Sequence, residues 1–176
     1  MTSTIRLAAL PVAALALAGM LAACGDAASG HKHLARPANC ADKLHAWGSS
    51  GGRRDVHAIT RDTGKAGNDL PAVAAAFQNG STSGSAKLAA DGSRLSADAK
   101  AILAKPPPAC TGQWMTKAMT RYHTAGADLV TASAQAHRNH RHAAVSALKA
   151  GRTALGEGNR EMSKARAAVN RISAGS

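Results

Sequence analysis

The chain has 176 residues and carries 22 lysines and arginines against 10 aspartates and glutamates, a formal net charge of +12. Its four aromatic residues are Trp47, Phe77, Trp114 and Tyr122. Because alanine is abundant and β-branched residues are few, the composition favours helices over strands. The only glutamates are Glu157 and Glu161, which excludes the repeated Glu-x-x-His pattern of a ferritin-like di-iron bundle.

The first 23 residues form a segment that is typical of a secretory signal peptide. Arg6 provides a charged start, and the apolar run from 7 to 23 is interrupted only by Pro11, Gly19 and small residues. This run is too short for a comfortable membrane span. We therefore expect residues 1–23 to direct export and then to be removed.

The signal segment ends in the run Leu21-Ala22-Ala23-Cys24, which resembles the lipobox of bacterial lipoproteins. In such proteins diacylglycerol is joined to the cysteine thiol, and the signal peptide is cleaved in front of that cysteine. The resemblance predicts that Cys24 is lipidated and holds the chain to the extracytoplasmic face of the cell membrane. An ordinary signal peptide, cut after the small residues Ala16-Leu17-Ala18, is the alternative.

Three cysteines in an exported chain leave one unpaired. If Cys24 carries lipid, Cys40 and Cys110 remain as a pair that an oxidising compartment would join. Closing this loop would stabilise the fold by about 4 kcal/mol on the chain-entropy model. Residues 24–39 are rich in Ala, Gly and Ser without apolar periodicity, so we expect a flexible tether there and one domain over residues 40–176.

The domain contains four segments in which apolar or small residues recur at alternating spacings of three and four, the pattern of an amphipathic helix. Pro71 interrupts the first segment, so we predict a break or kink between Gly67 and Pro71, with Asp69 as the N-cap that follows. The prolines at 106–108 end the second helix. The four stripes are Val56, Ile59, Thr63, Ala66, Leu70, Val73 and Phe77; Leu88, Gly92, Leu95, Ala99 and Ile102; Met115, Met119, Tyr122, Gly126, Leu129, Ser133 and Ala136; and Leu148, Gly151, Leu155, Gly158, Met162, Ala165, Val169 and Ile172.

Glycines recur on these stripes, at Gly92, Gly126, Gly151 and Gly158. A glycine inside a helix costs up to about 1 kcal/mol relative to alanine. Either the last helix frays at these positions or the glycines let neighbouring helices approach closely, and we expect the second. Four helices joined by short links predict an all-α antiparallel bundle of about four helices, with both cysteines of the disulfide at one end.

The two tryptophans follow closely on the two cysteines of the predicted disulfide. Trp47 lies just after Cys40, and Trp114 just after Cys110. Because few other large side chains are available to fill a core, we expect both indoles to pack into the bundle near the disulfide. A ligand platform made of the two tryptophans is the alternative.

Three histidines, His137, His140 and His142, lie in a basic run between the last two helices. If that run is helical, His137 and His140 share a face and could hold a divalent transition metal. A metal-handling lipoprotein is therefore the alternative to a solvated basic corner, although no neighbouring carboxylate or thiolate offers a further ligand. No cofactor motif and no nucleophile–base–acid arrangement is evident, so we expect neither an enzyme nor a cofactor.

Positive charge is concentrated late in the chain. On the last helix, five cations fall opposite the apolar stripe: Lys149, Arg152, Arg160, Lys164 and Arg171. They either solvate the bundle or dock on anionic lipid, a phosphate-bearing wall polymer or an acidic protein. We expect no nucleic-acid partner, because neither a helix-turn-helix nor a set of stacking aromatics accompanies the charge.

Several features together resemble the small alanine-rich lipoproteins of high-GC Gram-positive bacteria, and the resemblance covers most of the chain. The features are the lipobox, the start from Cys40 to Trp47, the helix from Asp98-Ala99 to Pro108 that ends in prolines, and the Ala/Gly-rich last helix. The resemblance implies a cell-envelope location and a helical bundle, and it carries over no site residue beyond Cys24. The sequence thus predicts a lipid-anchored binding or interaction module at the cell surface.

The lipid anchor predicts how the chain behaves in a bacterium that processes lipoproteins. The wild-type protein should partition with membranes, and mass spectrometry should show an added lipid mass on Cys24. Cys24→Ala should remove both the lipid mass and the membrane association, because the thiol is the attachment point. A wild-type protein recovered without lipid in the soluble fraction would contradict this prediction.

Overall fold

A computed structural model describes residues 39–111 and 113–174; the expected signal peptide, Cys24 and nearly all of the expected tether lie outside the described residues. Within these ranges the chain forms helices and turns and no strand. A π-helical turn, Gly48–Gly52, connects the first two helices, and a short 3₁₀ turn, Ala109–Thr111, precedes the fourth. The helices are α1 (Cys40–Trp47), α2 (Arg53–Gln78), α3 (Ser85–Ala104), α4 (Trp114–His137) and α5 (Arg141–Ala174).

Helices α2 to α5 pack side by side as a closed four-helix bundle. Helix α2 contacts α3 and α5, and α4 likewise contacts α3 and α5. Because the connections are short, successive helices run in opposite directions. The predicted all-α antiparallel bundle is therefore confirmed, with α1 as an additional short helix that contacts α5.

The four predicted stripes form the core of the bundle. Every stripe residue of α3 and α4 is buried, and on α2 and α5 only Val56, Thr63, Val169 and Ile172 are half-buried. Much of the interior is alanine, so the helices must lie close together for their surfaces to touch. Fully buried alanines include Ala66, Ala99, Ala118, Ala125, Ala132 and Ala165.

The glycines on the stripes mark the closest contacts between helices. A Cβ on Gly92 of α3 would lie 2.7 Å from the carbonyl oxygen of Gly126 on α4, and a Cβ on Gly126 would overlap the carbonyl oxygen of Gly92. A Cβ on Gly158 of α5 would lie 2.6 Å from the ring of Tyr122 on α4. The interpretation of close approach is confirmed, and α5 continues through Gly158 without interruption.

Of the break or kink that we predicted in the first long helix, the break is wrong, because α2 is a single helix with Pro71 inside it. Pro71 has no N–H to donate to the carbonyl of Gly67, four residues earlier. Both residues are exposed, so water can serve that carbonyl in place of the missing donor. Asp69 is not an N-cap; its carboxylate accepts a hydrogen bond from Lys87 of α3 at 3.0 Å.

The disulfide end is tied together by several contacts. Cys40 and Cys110 form the predicted disulfide, with their Cα atoms 5.9 Å apart. Trp47 donates a hydrogen bond from Nε1 to the carbonyl of Lys105 at 2.8 Å. Trp47 and Trp114 are both half-buried and pack against the core, as the packing interpretation predicts. Residues 39–174 thus hold a core closed by its own cross-link, which makes them one folding unit.

The contact between Gly92 and Gly126 makes a prediction about stability. Gly126→Ala should lower the free energy of unfolding by about 1–3 kcal/mol, because the added methyl group pushes α3 and α4 apart. Gly156 is a matched control inside α5, since nothing lies within 4 Å of the position that its Cβ would take. Gly156→Ala should instead raise the free energy of unfolding by about 0.5–1 kcal/mol. Urea denaturation followed by circular dichroism measures both, and stabilisation by both substitutions would contradict the close approach.

Candidate functional site

The structure places the five late cations on one exposed strip of α5, which we call the basic face. Successive residues turn by about 100°, so the five side chains fall within an arc of about 120°, opposite the buried Gly158. The rise of about 1.5 Å per residue spreads them over about 33 Å of helix. The basic face is therefore a long convex strip with no pocket of its own. Its members are Lys149, Arg152, Arg160, Lys164 and Arg171.

Both carboxylates of α5 lie at one edge of the basic face and are engaged by cations. Glu161 accepts a hydrogen bond from Nζ of Lys164 at 2.9 Å. Glu157 lies 3.0 Å from Nε of Arg121 on α4. The other four cations of the basic face form no ion pair with any described residue. Most of the positive charge on this strip is therefore uncompensated and faces solvent.

Lys164 is held more firmly than the other members of the basic face. Its Nζ lies 4.8 Å from the centre of the Trp114 ring, and Nζ of Lys117 lies 5.3 Å from the same ring. A cation within about 6 Å of an indole ring is attracted to the negative face of the ring. Trp114 therefore links α4 to α5 and orients Lys164, which leaves Lys164 less free than Lys149 or Arg152 to meet a partner.

The three histidines of the metal alternative are held apart by separate contacts and a turn. His137 is the last residue of α4, and its Nε2 lies 3.1 Å from the Ser85 hydroxyl on α3. The chain then turns at Asn139, whose φ is 59°, and Nδ1 of His140 lies 2.9 Å from Oε1 of Gln135. The run is thus not helical between His137 and His140, and the shared face that the metal hypothesis requires does not form. Within the described residues, no group of three or more His, Cys, Asp or Glu side chains is placed to hold a metal ion.

Two serine–histidine pairs connect α3 to α4. Besides Ser85 and His137, the hydroxyl of Ser96 lies 2.6 Å from Nδ1 of His123. A hydrolytic site needs such a pair together with a third group that orients the histidine. No carboxylate is hydrogen-bonded to either histidine in the part of the chain that the structure describes. Within the described residues, neither pair is therefore part of a serine–histidine–carboxylate triad.

Two concave regions lie at opposite ends of the bundle. One, of about 170 Å³, is lined by residues that include Phe77 and Arg141. The other is an open cleft of about 550 Å³ beside the π-helical turn, with Arg53, Arg54 and His57 on its wall. Neither serine–histidine pair lines these two regions. The cleft beside the π-helical turn is the more strongly charged of the two.

Two carboxyl groups meet inside the bundle, Asp62 on α2 and Asp98 on α3. Asp62 is 1% exposed and accepts a hydrogen bond from Nε of Arg61 at 3.0 Å. Burial alone would raise the pKa of Asp62, but hydrogen bonds from Arg61 and Asp98 hold it below its ordinary value. Burial, the hydrogen bond to Asp62 and the negative charge of Asp62 raise the pKa of Asp98. Of the two carboxyl groups, Asp98 therefore takes up a proton at higher pH than Asp62 does.

Neither the carboxyl pair nor the cleft was predicted from the sequence, although each leaves a signal there. Asp62 follows Ile59 by three residues, so a charged residue occupies the buried face of α2. Asp98 likewise follows the buried Leu95 by three residues on α3. The cleft is signalled by the glycine- and serine-rich run 48–52, which is followed directly by two arginines.

Comparisons of the chain with protein-family models, with curated proteins and with solved structures found no match. Among the described helices, none combines the length and the apolar character that crossing a membrane requires. What the chain binds is therefore inferred from its own side chains.

The carboxyl pair makes a prediction about pH dependence. Because the pKa of Asp98 is higher in the folded chain than in the unfolded chain, its contribution to stability is complete below its unfolded pKa and is lost as the pH rises through its folded pKa. Asp98→Asn keeps a donor toward Asp62 but does not titrate. Between mildly acidic and neutral pH, the free energy of unfolding of Asp98→Asn should therefore fall less than that of the wild type.

Urea titrations at several pH values measure this difference. Asp42→Asn is the matched control, because Asp42 is exposed on α1 and removing it deletes the same charge outside the bundle. The control should keep the wild-type pH profile. A wild-type profile for Asp98→Asn as well would show that folding does not raise the pKa of Asp98.

Proposed function

We propose that this chain is a lipid-anchored module of the cell envelope whose basic face docks on an anionic envelope component. In this proposal Cys24 carries the lipid at the extracytoplasmic face of the membrane, and the module performs no catalysis. The observation that supports docking is the basic face itself. Its five cations share one arc of α5, and four of them have no ion-pair partner among the described residues.

The shape of the basic face favours an extended partner over a small molecule. A convex strip about 33 Å long cannot enclose a ligand, but it can lie along a polymer or on a surface with repeated negative charge. Each cation near an anionic membrane surface contributes about 1 kcal/mol of binding free energy. Since charges are screened beyond about 8 Å at physiological salt, the basic face must nearly touch its partner. Anionic lipid head groups and phosphate-bearing wall polymers both meet these requirements.

The direction of α5 supports docking close to the membrane. Helix α1 and the 3₁₀ turn Ala109–Thr111 both contact α5, so the antiparallel order places the C-terminal half of α5 at the disulfide end. Arg160 and Arg171 therefore lie toward the end of the bundle at which the proposed tether enters. In this proposal, a tether of about 15 residues spans on the order of 20 Å as a random coil, which keeps the basic face within reach of the envelope surface.

Binding of residues 25–176 to vesicles and to purified wall polymer tests the proposal. Affinity for anionic vesicles or polymer should fall steeply with added salt, and neutral vesicles should not bind, because the attraction is electrostatic. A variant with Lys149, Arg152, Arg160 and Arg171 all changed to Gln should lose affinity by at least about tenfold. Lys164 is left unchanged because it packs on Trp114.

A control variant separates the basic face from net charge. Changing four exposed cations on other surfaces to Gln deletes the same charge and should reduce affinity much less. Equal losses in the two variants would mean that overall charge, and not the basic face, attracts the anion. Absence of binding at low salt would mean that the basic face only solvates the bundle. The control positions are Lys43, Lys100, Lys105 and Arg138.

A further inference from the structure

The π-helical turn between α1 and α2 is built rigidly around a tryptophan. Gly51 has a φ of 114°, which separates two stretches of otherwise helical backbone. Gly52 packs against the Trp47 ring so tightly that a Cβ there would lie 2.5 Å from ring atoms. Because Trp47 also donates a hydrogen bond to the Lys105 carbonyl, the turn is fixed to the bundle on one side.

The other side of this turn is the open cleft of about 550 Å³, and its side chains are basic. Arg53 and His57 lie four residues apart, on the same side of α2. Both are exposed, and neither side chain has a hydrogen-bond or ion-pair partner among the described residues. A guanidinium nitrogen of Arg54 comes within 3.8 Å of the position that a Cβ on Gly51 would take. The cleft is shallow and open to solvent, and its lining includes two guanidinium groups and an imidazole.

The balance of charge and donors in the cleft favours a ligand with negative charge. The carboxylate beside it is Asp55, whose oxygen lies 3.6 Å from Nε of Arg54, so Arg53 has no carboxylate partner within the described residues. Ser49 and Ser50 also line the cleft, and the Ser50 hydroxyl donates to the Trp47 carbonyl at 2.8 Å. The Arg53 backbone N–H is already used by the Gly48 carbonyl. Recognition would therefore come from side chains.

We infer that this cleft binds the phosphate group of a phosphate ester. Guanidinium groups bind phosphate oxygens in pairs of parallel hydrogen bonds, which two neighbouring arginines on a concave wall can provide. The open volume leaves room for the rest of the ester outside the phosphate contacts. A phospholipid head group and a phosphate-bearing polymer present the same phosphate ester. This site is separate from the basic face and does not depend on the proposed function of α5.

Titration of residues 25–176 with inorganic phosphate, followed by backbone amide NMR, tests the inference. Chemical-shift changes should concentrate on residues 48–57. Arg53→Gln combined with Arg54→Gln should weaken phosphate binding by about tenfold or more, because each guanidinium supplies charged hydrogen bonds. The wall side chains are exposed, so this variant should keep the wild-type amide spectrum elsewhere. Ser49→Asp, which places a negative charge in the cleft, should also abolish binding.

The variant Lys149→Gln with Arg152→Gln is the matched control, because it deletes two charges from the basic face. It should bind phosphate with wild-type affinity. A different result would overturn the inference about the cleft and leave the proposal for the basic face intact. In that result, phosphate shifts the amides of α5, these shifts disappear in the control variant, and Arg53→Gln with Arg54→Gln does not change phosphate binding. If phosphate still binds in the cleft of the control variant, the cleft is supported as a phosphate site whether or not α5 docks on the envelope.

Two further titrations of the wild type identify the source of the phosphate. Vesicles of phosphatidic acid are compared with vesicles of phosphatidylglycerol at equal surface charge, and a soluble glycerol-phosphate polymer is added in a separate titration. Shifts on residues 48–57 with one of these ligands assign the phosphate to that source. Absence of shifts on these residues with inorganic phosphate and with all three esters would overturn the inference.

Discussion

The contact between Gly92 and Gly126 is the constraint on which the rest of the structure depends. Alanine and glycine make up much of the interior, and where they meet, surfaces touch only if the helix backbones lie close together. Glycine permits this approach because no Cβ separates α3 from α4. The same arrangement recurs where the Tyr122 ring lies on Gly158 of α5. At these positions, dispersion contacts between helix backbones add to the packing of the large apolar side chains of the core.

A tightly closed interior places the binding chemistry on the outside of the bundle. The two concave regions described above lie at the ends of the bundle, and most charged groups lie on the outer faces of the helices. The buried Asp62 is tolerated because Arg61 and Asp98 supply hydrogen bonds to its carboxylate. On α5, by contrast, the cations face water and are available to a partner.

The disulfide end combines structural and binding features. The Cys40–Cys110 bridge and the hydrogen bond of Trp47 to Lys105 hold α1 against the bundle. This fixed turn shapes the cleft with Arg53 and Arg54, while the C-terminal half of α5 lies at the same end. One end of the molecule therefore presents a convex and a concave basic surface of different geometry. A convex strip suits an extended anion, and a concave wall suits a single phosphate group.

Periodicity by itself determined the four long helices, their buried faces and the glycine contacts, because a helix places every third and fourth residue on one side whatever it packs against. The disulfide and the exposed cations of α5 followed from cysteine count and helix geometry.

Only the tertiary structure decided that Pro71 remains within α2, because this depends on water reaching the exposed Gly67 carbonyl. It also decided that the histidines separate at Asn139, since a left-handed turn leaves no periodic signal. The tertiary structure also decided the Asp62–Asp98 pair and the Arg53–Arg54 cleft. Both depend on how the helices pack against each other, and the pattern within a single helix does not specify that packing.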